Sequence, residues 1–176
     1  IIIHEAGHEW FGNNITNKDV ADMWIHEGFT SYSESLYTES LFGKQAGSDY
    51  VIGTRYSIAN EKPLIGIYGV NHEGPTDMYN KGANMIHTFR TWLNDDVKFR
   101  EILRGMNKTF YHQTVTTKQI EDYLAQQSGL DLKLFFDQYL RTPRIPLLEI
   151  KQEGKDILYR YNYVVDGFNM PVRLVG

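Results

Sequence analysis

The sequence contains no cysteine among its 176 residues. Disulfide bonds, thiolate metal ligands and cysteine nucleophiles are therefore excluded. The absence of cysteine does not identify a cellular compartment, because many proteins of oxidising and reducing compartments alike lack it.

An excess of positive charge is absent as well. The chain has 18 Lys and Arg against 22 Asp and Glu, which gives a net charge of −4. Since the charges are spread along the chain without a basic stripe, we do not expect nucleic acid to be a partner.

Long apolar runs are missing too. Runs such as the three isoleucines at residues 1–3 are far shorter than the roughly 20 residues that cross a bilayer, so no membrane span is predicted. No signal peptide is visible. Because the chain opens on Ile-Ile-Ile-His without an initiator Met, we interpret it as a piece of a longer protein.

What is present is an ordinary globular composition, with 41% hydrophobic and 23% charged residues. Apolar periodicity and capping residues predict a mainly α fold. A long loop is predicted at 62–78, where two prolines and three glycines fall. The predicted helices cover residues 1–11, 19–42, 45–61, 80–94, 96–111, 117–127 and 131–141.

After Pro146 the apolar pattern changes to that of strands. Strands are predicted at 147–151 and 157–163, with a third at 172–175. We therefore place a domain boundary near residue 144. Residues 1–144 would be a helical lobe, and 145–176 the start of a truncated β domain, because three strands are too few for a stable sheet of their own unless they pack on the helices.

The strongest signal is His-Glu-Ala-Gly-His at residues 4–8. Residues four apart lie on one side of a helix, so His4 and His8 can present both imidazoles to one cation. Glu5 borders the same face and can reach a water on the metal without being a ligand. We interpret these residues as a site for one Zn²⁺ per chain, with Glu5 as the catalytic acid/base.

A catalytic zinc needs a third protein ligand and one open position for water. Glu27, separated from His8 by 18 residues and placed on the next predicted helix, is the candidate. A loop and two turns of a returning helix would carry its carboxylate back to the histidines. Glu34, two turns further on the same face, could hydrogen-bond the free nitrogen of a ligand histidine as a second-sphere partner.

These residues together resemble the gluzincin metallopeptidases of the aminopeptidase N and leukotriene hydrolase family. Residues 4–16 are similar to that family's zinc helix and the turn after it, and residues 24–29 to the motif with the glutamate ligand. Residues 79–83 match a third motif, while 135–140 and 144–146 look like the last catalytic-domain helix and its link to a β domain. The resemblance covers nearly the whole chain.

The resemblance implies the helical lobe of a thermolysin-like zincin catalytic domain. It also implies that Tyr79 donates a hydrogen bond to the oxyanion formed during peptide hydrolysis. The chain departs from the family at His26, where an asparagine is usual, but that side chain points off the ligand face. The family's Gly-x-Met-Glu-Asn motif, which anchors the substrate's amino terminus, belongs upstream of the zinc helix and is not in this chain.

The most favoured function is therefore aminopeptidase action on peptides by the complete protein. The partners expected are the peptide substrate and the rest of the chain, namely an N-terminal lobe and a β domain. The fragment by itself is expected to be poorly active. Two alternatives stay open: a thermolysin-like endopeptidase with the same ligands, and a non-catalytic helical scaffold with a vestigial site.

Overall fold

A computed structural model describes residues 1–173 of the chain. The predicted mainly α fold with a short C-terminal β segment is confirmed. The helices are α1 (Ile2–Gly7), α2 (Trp24–Phe42), α3 (Lys44–Gly53), α4 (Asp77–Leu93), α5 (Asp96–Thr109), α6 (Thr117–Ser128) and α7 (Lys133–Arg141). The strands are β1 (Ile15–Asn17), β2 (Gln113–Val115), β3 (Leu147–Glu153) and β4 (Asp156–Asn162).

Three predicted helices, the first, second and third, are shorter than expected. The first ends at Gly7 instead of residue 11, because the next amide groups bond three residues back, as in a tighter 3₁₀ turn. The third ends at Gly53 and continues as a 3₁₀ turn over Thr54–Ser57, so residues 58–61 belong to the long loop. Asp19 caps a 3₁₀ turn before α2 rather than α2 itself.

The strands β1 and β2 were not predicted. They form a parallel pair in which Ile15 lies opposite Gln113 and Asn17 opposite Val115. The Asn14 side chain adds hydrogen bonds to Asn107, at 2.9 Å between Nδ2 and Oδ1. This contact ties the turn that follows α1 to the last turn of α5.

A core of aromatic and aliphatic side chains joins the helices. It includes Trp24 and Phe29 from α2, Phe89 from α4 and Phe135 from α7, each no more than 2% exposed. None of the helices in residues 1–173 combines the length and the apolar character that crossing a bilayer requires.

The C-terminal strands β3 and β4 pair antiparallel as a hairpin with Gly154 in the turn. Of the predicted third strand, residues 172 and 173 are not in a strand, and the remainder lies outside the described residues. The last helix ends at Arg141 and the first strand of the hairpin begins at Leu147. The division into domains at residue 144 stays a prediction.

Candidate metal centre

Three predicted ligands converge where α1, followed directly by His8, meets the first turn of α2. The Nε2 atom of His4 lies 3.1 Å from Oε2 of Glu27, and Nε2 of His8 lies 3.7 Å from the same oxygen. One donor atom from each of the three side chains falls within 4.8 Å of the others. The two imidazole rings meet edge to face, with centroids 5.0 Å apart.

This donor set fits a tetrahedral zinc ion. Ligand distances of about 2.0–2.1 Å place neighbouring donors of a tetrahedron about 3.3 Å apart. The separations of 3.1 and 3.7 Å lie on either side of that value. Two imidazole nitrogens and one carboxylate oxygen are also ligands that zinc accepts, and they leave a fourth position open.

A backbone carbonyl holds the outer nitrogen of His8, that is, the ring nitrogen that points away from the other ligands. Its Nδ1 lies 3.0 Å from the carbonyl oxygen of Phe11, which can only accept, so the ring donates from Nδ1. A neutral imidazole protonated at Nδ1 has its lone pair on Nε2, the atom that faces Glu27.

The outer nitrogen of His4 faces a carboxylate. Its Nδ1 lies 3.4 Å from Oε1 of Glu34, and the other oxygen of Glu34 accepts a hydrogen bond from the Tyr50 hydroxyl at 2.7 Å. That hydrogen bond, followed by burial, raises the pKa of Tyr50 to about 12. Glu34 is therefore held between a tyrosine of α3 and a histidine of α1.

Close glycine contacts bring the elements of the centre together. A Cβ on Gly7 would lie 2.9 Å from Cγ2 of Thr30, so α1 packs directly on α2. A Cβ on Gly82 would lie 2.9 Å from Cα of Gly28. Because α2 and α4 touch at these two glycines, Glu27 of α2 and Tyr79 of α4 face one cavity.

That cavity has a volume of about 480 Å³ and is lined by the predicted ligands together with Glu5, Glu34 and Tyr79. Glu5 is exposed to solvent there. The ring of Tyr79 stacks on His4, with centroids 5.8 Å apart. Burial raises the pKa of Tyr79, and the negative charge of Glu27 adds to the effect. The phenol thus keeps its proton at neutral pH and can donate it in a hydrogen bond.

His26 points away from the ligands, as its position on the helix predicts. Its Nε2 accepts a hydrogen bond from the backbone N–H of Asn17 at 2.8 Å, which ties β1 to α2. Burial, with a smaller contribution from His8, lowers the pKa of His26 to about 4. The imidazole is therefore neutral at pH 7.

Sequence reasoning missed Tyr50 and the paired glycines. Tyr50 is one of 12 tyrosines and lies 16 residues from Glu34, so no local spacing singles it out. The glycines did stand inside two matched motifs, directly after Glu27 and Lys81, and that repeated placement was an available signal for a close helix crossing.

A family model described as the Peptidase family M1 domain matches residues 1–139. The chain is 26% identical to aminopeptidase M1-B of Oryza sativa subsp. japonica over 182 residues, which cover 97% of the chain and 21% of that relative. It is 25% identical to aminopeptidase N of Lactococcus lactis subsp. lactis, over 84% of the chain and 19% of the relative. The chain thus spans about a fifth of the length of these curated relatives.

Solved structures agree with these matches. An M1 zinc metallopeptidase from Deinococcus radiodurans superimposes with a TM-score of 0.69 at 28% identity, over 82% of this chain and 33% of that one. Leukotriene A4 hydrolase from Saccharomyces cerevisiae superimposes with a TM-score of 0.68 at 23% identity, over 82% and 26%. The second likeness concerns the fold alone.

Proposed function

Since the chain belongs to peptidase family M1, we propose that it carries the metal centre of a zinc-dependent aminopeptidase. The observation that carries this proposal is the convergence of His4, His8 and Glu27, whose donor atoms lie within 4.8 Å of one another. The names of the relatives, aminopeptidases from plants and bacteria among them, support the choice of reaction.

In this proposal His4, His8 and Glu27 would hold the zinc ion. When bound, the zinc ion would supply Lewis acidity, which polarises a scissile carbonyl and acidifies water. Glu34 and the Phe11 carbonyl orient the two imidazoles, which keeps a lone pair of each ring directed at the metal position.

Glu5 acts as the acid/base. Its carboxylate takes one proton from the attacking water while the oxygen bonds to the carbonyl carbon. The same carboxyl group then gives that proton to the leaving nitrogen as the C–N bond breaks. Glu5 suits this role because it lines the cavity beside the ligands and is accessible to water.

Tyr79 donates a hydrogen bond to the carbonyl oxygen as that oxygen gains negative charge. Its ring stacks on His4, so the hydroxyl belongs to the same cavity as the ligands. Removing one such donor typically costs about 3 kcal/mol in the transition state, a hundredfold or more in rate.

The exopeptidase character rests on the similarity to aminopeptidases. An endopeptidase would use the same ligands, so cleavage of peptides with free and acetylated amino termini distinguishes the two. Equal rates on both substrates would contradict aminopeptidase action.

The proposal is tested by substituting Glu5→Gln in the complete protein. This variant should bind zinc as tightly as the unchanged protein and lose at least a thousandfold in turnover, because the amide accepts no proton. Glu9→Gln is the matched control, since Glu9 is exposed and its carboxylate accepts a hydrogen bond from the neighbouring Asn13 side chain. Undiminished turnover in Glu5→Gln would remove Glu5 from its role, and zinc-free, inactive preparations of unchanged protein would favour the scaffold alternative.

A further inference from the structure

A second and larger cavity lies against another face of α4. Its volume is about 990 Å³, and it is bounded by α4, α7, the hairpin and residues 170–173. It shares no lining residue with the metal cavity. The two cavities flank one helix, because Tyr79 and Lys81 lie roughly 200° apart around its axis.

The second cavity collects positive charge in a chain whose net charge is −4. Four cationic side chains line it, and among the described lining residues there is no aspartate or glutamate. We call it the cationic cavity. Its cations are Arg55, Lys81, Arg144 and Arg173.

These cations have no carboxylate partner within residues 1–173. The ion pairs of that part of the chain involve other lysines and arginines, such as Arg90 with Glu39 and Arg141 with Glu121. Unpaired cations that face one partly enclosed space raise its positive potential and favour an anion there.

Neutral contacts hold three of the cations in place. Nε of Arg55 donates to Asn84 at 2.8 Å, Nζ of Lys81 to the Thr142 carbonyl at 3.0 Å, and Nη1 of Arg144 to the Val164 carbonyl at 3.1 Å. A guanidinium has five N–H donors and an ammonium has three, so most of their donors stay available. The cavity therefore contains N–H donors that are held in position and can still donate hydrogen bonds to a ligand.

Of these four cations, Lys81 is expected to gain the most free energy from a bound anion. It is 6% exposed, and burial lowers its pKa in spite of the opposing effect of Asp77. A buried ammonium gains most from a negative partner, because water screens it least.

The remaining wall is apolar and aromatic. Met85, Trp92, Tyr139 and Met170 contribute to it, and all of them pack against the core. Small-molecule sites commonly combine such a wall with a few polar groups and have volumes of about 300–1,000 Å³. A ligand that fits this cavity therefore has an apolar part, which contacts the wall, as well as a negatively charged group.

We propose that the cationic cavity binds a small organic anion, in which a carboxylate, sulfonate or phosphate group is attached to an aromatic or aliphatic body. The anionic group contacts Arg55, Lys81 and Arg144, while the body lies against the aromatic wall. The proposal is independent of the peptidase activity, because it uses none of the residues of the metal centre.

The first test compares two fluorescent probes on the unchanged protein. Anilinonaphthalene sulfonate has an aromatic body with one negative charge, and N-phenyl-naphthylamine has the same kind of body without charge. We expect the sulfonate to bind saturably at least about tenfold more tightly, and to weaken as salt is added. Equal affinity for the two probes would overturn the proposal.

The second test locates the site with paired variants. Arg55→Gln together with Arg144→Gln removes two exposed cations of the cationic cavity and should weaken sulfonate binding about tenfold. Arg104→Gln together with Lys108→Gln is the matched control, because it removes the same charge from another surface cavity, beside Trp10. Both variants should keep the far-ultraviolet circular dichroism of the parent.

The source of the anion is distinguished by competition. A free aromatic carboxylate such as indole acetate should displace the sulfonate from the unchanged protein. A peptide with a free terminal carboxylate that competes better than indole acetate would mean that the cavity is not a small-molecule site. Unaltered sulfonate binding in the Arg55 and Arg144 double variant, or weakening only in the control, would refute the assignment.

Discussion

The metal cavity and the cationic cavity flank the same helix and differ in how far their polar groups are satisfied. In the metal cavity the outer nitrogens of His4 and His8 already face Glu34 and a backbone carbonyl, so only the inner donor atoms are left to converge. In the cationic cavity three cations use one donor each and keep the others available. The first arrangement suits one small cation, the second a larger anion with several acceptor atoms.

The two cavities show that the net charge of a chain does not predict the charge of an individual cavity. A chain with a charge of −4 contains one cavity lined by three glutamates and another lined by four cations. If the two cavities are separate sites, then a change confined to one should leave the other unaffected. Four predictions follow that logic.

The largest effect is expected for His4→Ala. Loss of one of three protein ligands should weaken zinc binding at least about a hundredfold, measured by competition with a chelator. Binding of the sulfonate probe to the cationic cavity should stay within twofold. His72→Ala is the control, because His72 is exposed in the long loop and outside both cavities.

Gly82→Ala should disturb both cavities together. The new Cβ would lie 2.9 Å from the Gly28 backbone, which forces α4 away from α2 at the crossing that they share. We expect the free energy of unfolding to fall by about 1–3 kcal/mol in chemical denaturation, and zinc and sulfonate binding to weaken in parallel.

Gly53→Ala provides the contrast for that experiment. A Cβ at Gly53 meets nothing within 4 Å, and the residue ends α3 with an ordinary helical backbone. Alanine there should leave stability unchanged or raise it by up to about 1 kcal/mol. If Gly82→Ala and Gly53→Ala destabilise the protein equally, then the close contact between α2 and α4 is not the reason that position 82 requires glycine.

Tyr50→Phe should affect the metal cavity alone, and modestly. The change removes the hydroxyl that donates to Glu34 at 2.7 Å, so Glu34 holds His4 less firmly. Partners of metal ligands typically contribute about 10- to 100-fold in metal affinity, and Tyr50 stands one contact further out, so a loss of up to about tenfold is expected.

Tyr56→Phe serves as the reference for Tyr50→Phe. Tyr56 is 92% exposed, so removal of its hydroxyl should leave zinc affinity unchanged. An unchanged zinc affinity in Tyr50→Phe would mean that Glu34 is positioned without its tyrosine. A lower sulfonate affinity in that variant would contradict the separation of the two cavities.

The smallest effect concerns His87, which lines the cationic cavity. Burial lowers its pKa, and the charges of Arg90 and Arg55 lower it further. Because the unfolded chain then binds the proton more readily, the stability that His87 contributes is present above pH 6.5 and is lost as the pH falls below that value.

His87→Gln should therefore reduce the loss of unfolding free energy between pH 7.5 and pH 5.5, as followed by denaturant midpoints. His112→Gln, a change at an exposed histidine, should leave that loss as it is in the parent. Identical pH dependence in His87→Gln and the parent would refute the assigned role of burial.

The sequence predicted helices better than it predicted short contacts between them. The centres of the seven helices were predicted from apolar spacing and capping residues, whereas the end of α1, the start of α2 and the end of α3 were wrong. At α1 the competing 3₁₀ bonds arise after Gly7, and no residue pattern marks that change. The pair β1–β2 was missed because three residues are too few for a strand signal.

The candidate metal centre was more predictable than the cationic cavity. His4, Glu5 and His8 fall within one five-residue motif, and Glu27 and Glu34 share a face of one helix. The cations of the second cavity lie at positions 55, 81, 144 and 173, with no spacing that could connect them. Their meeting depends on how α4, α7 and the hairpin pack.

By itself, the sequence determined which side chains could share one face of one helix, because backbone hydrogen bonds fix the helical repeat locally. It also determined the donor types that suit zinc. Only the tertiary structure decided that Tyr50 supports Glu34, that two glycines let α2 and α4 touch, and that four distant cations line one cavity. Such contacts join residues far apart in the chain, and their distances are set by close packing of side chains rather than by any local repeat.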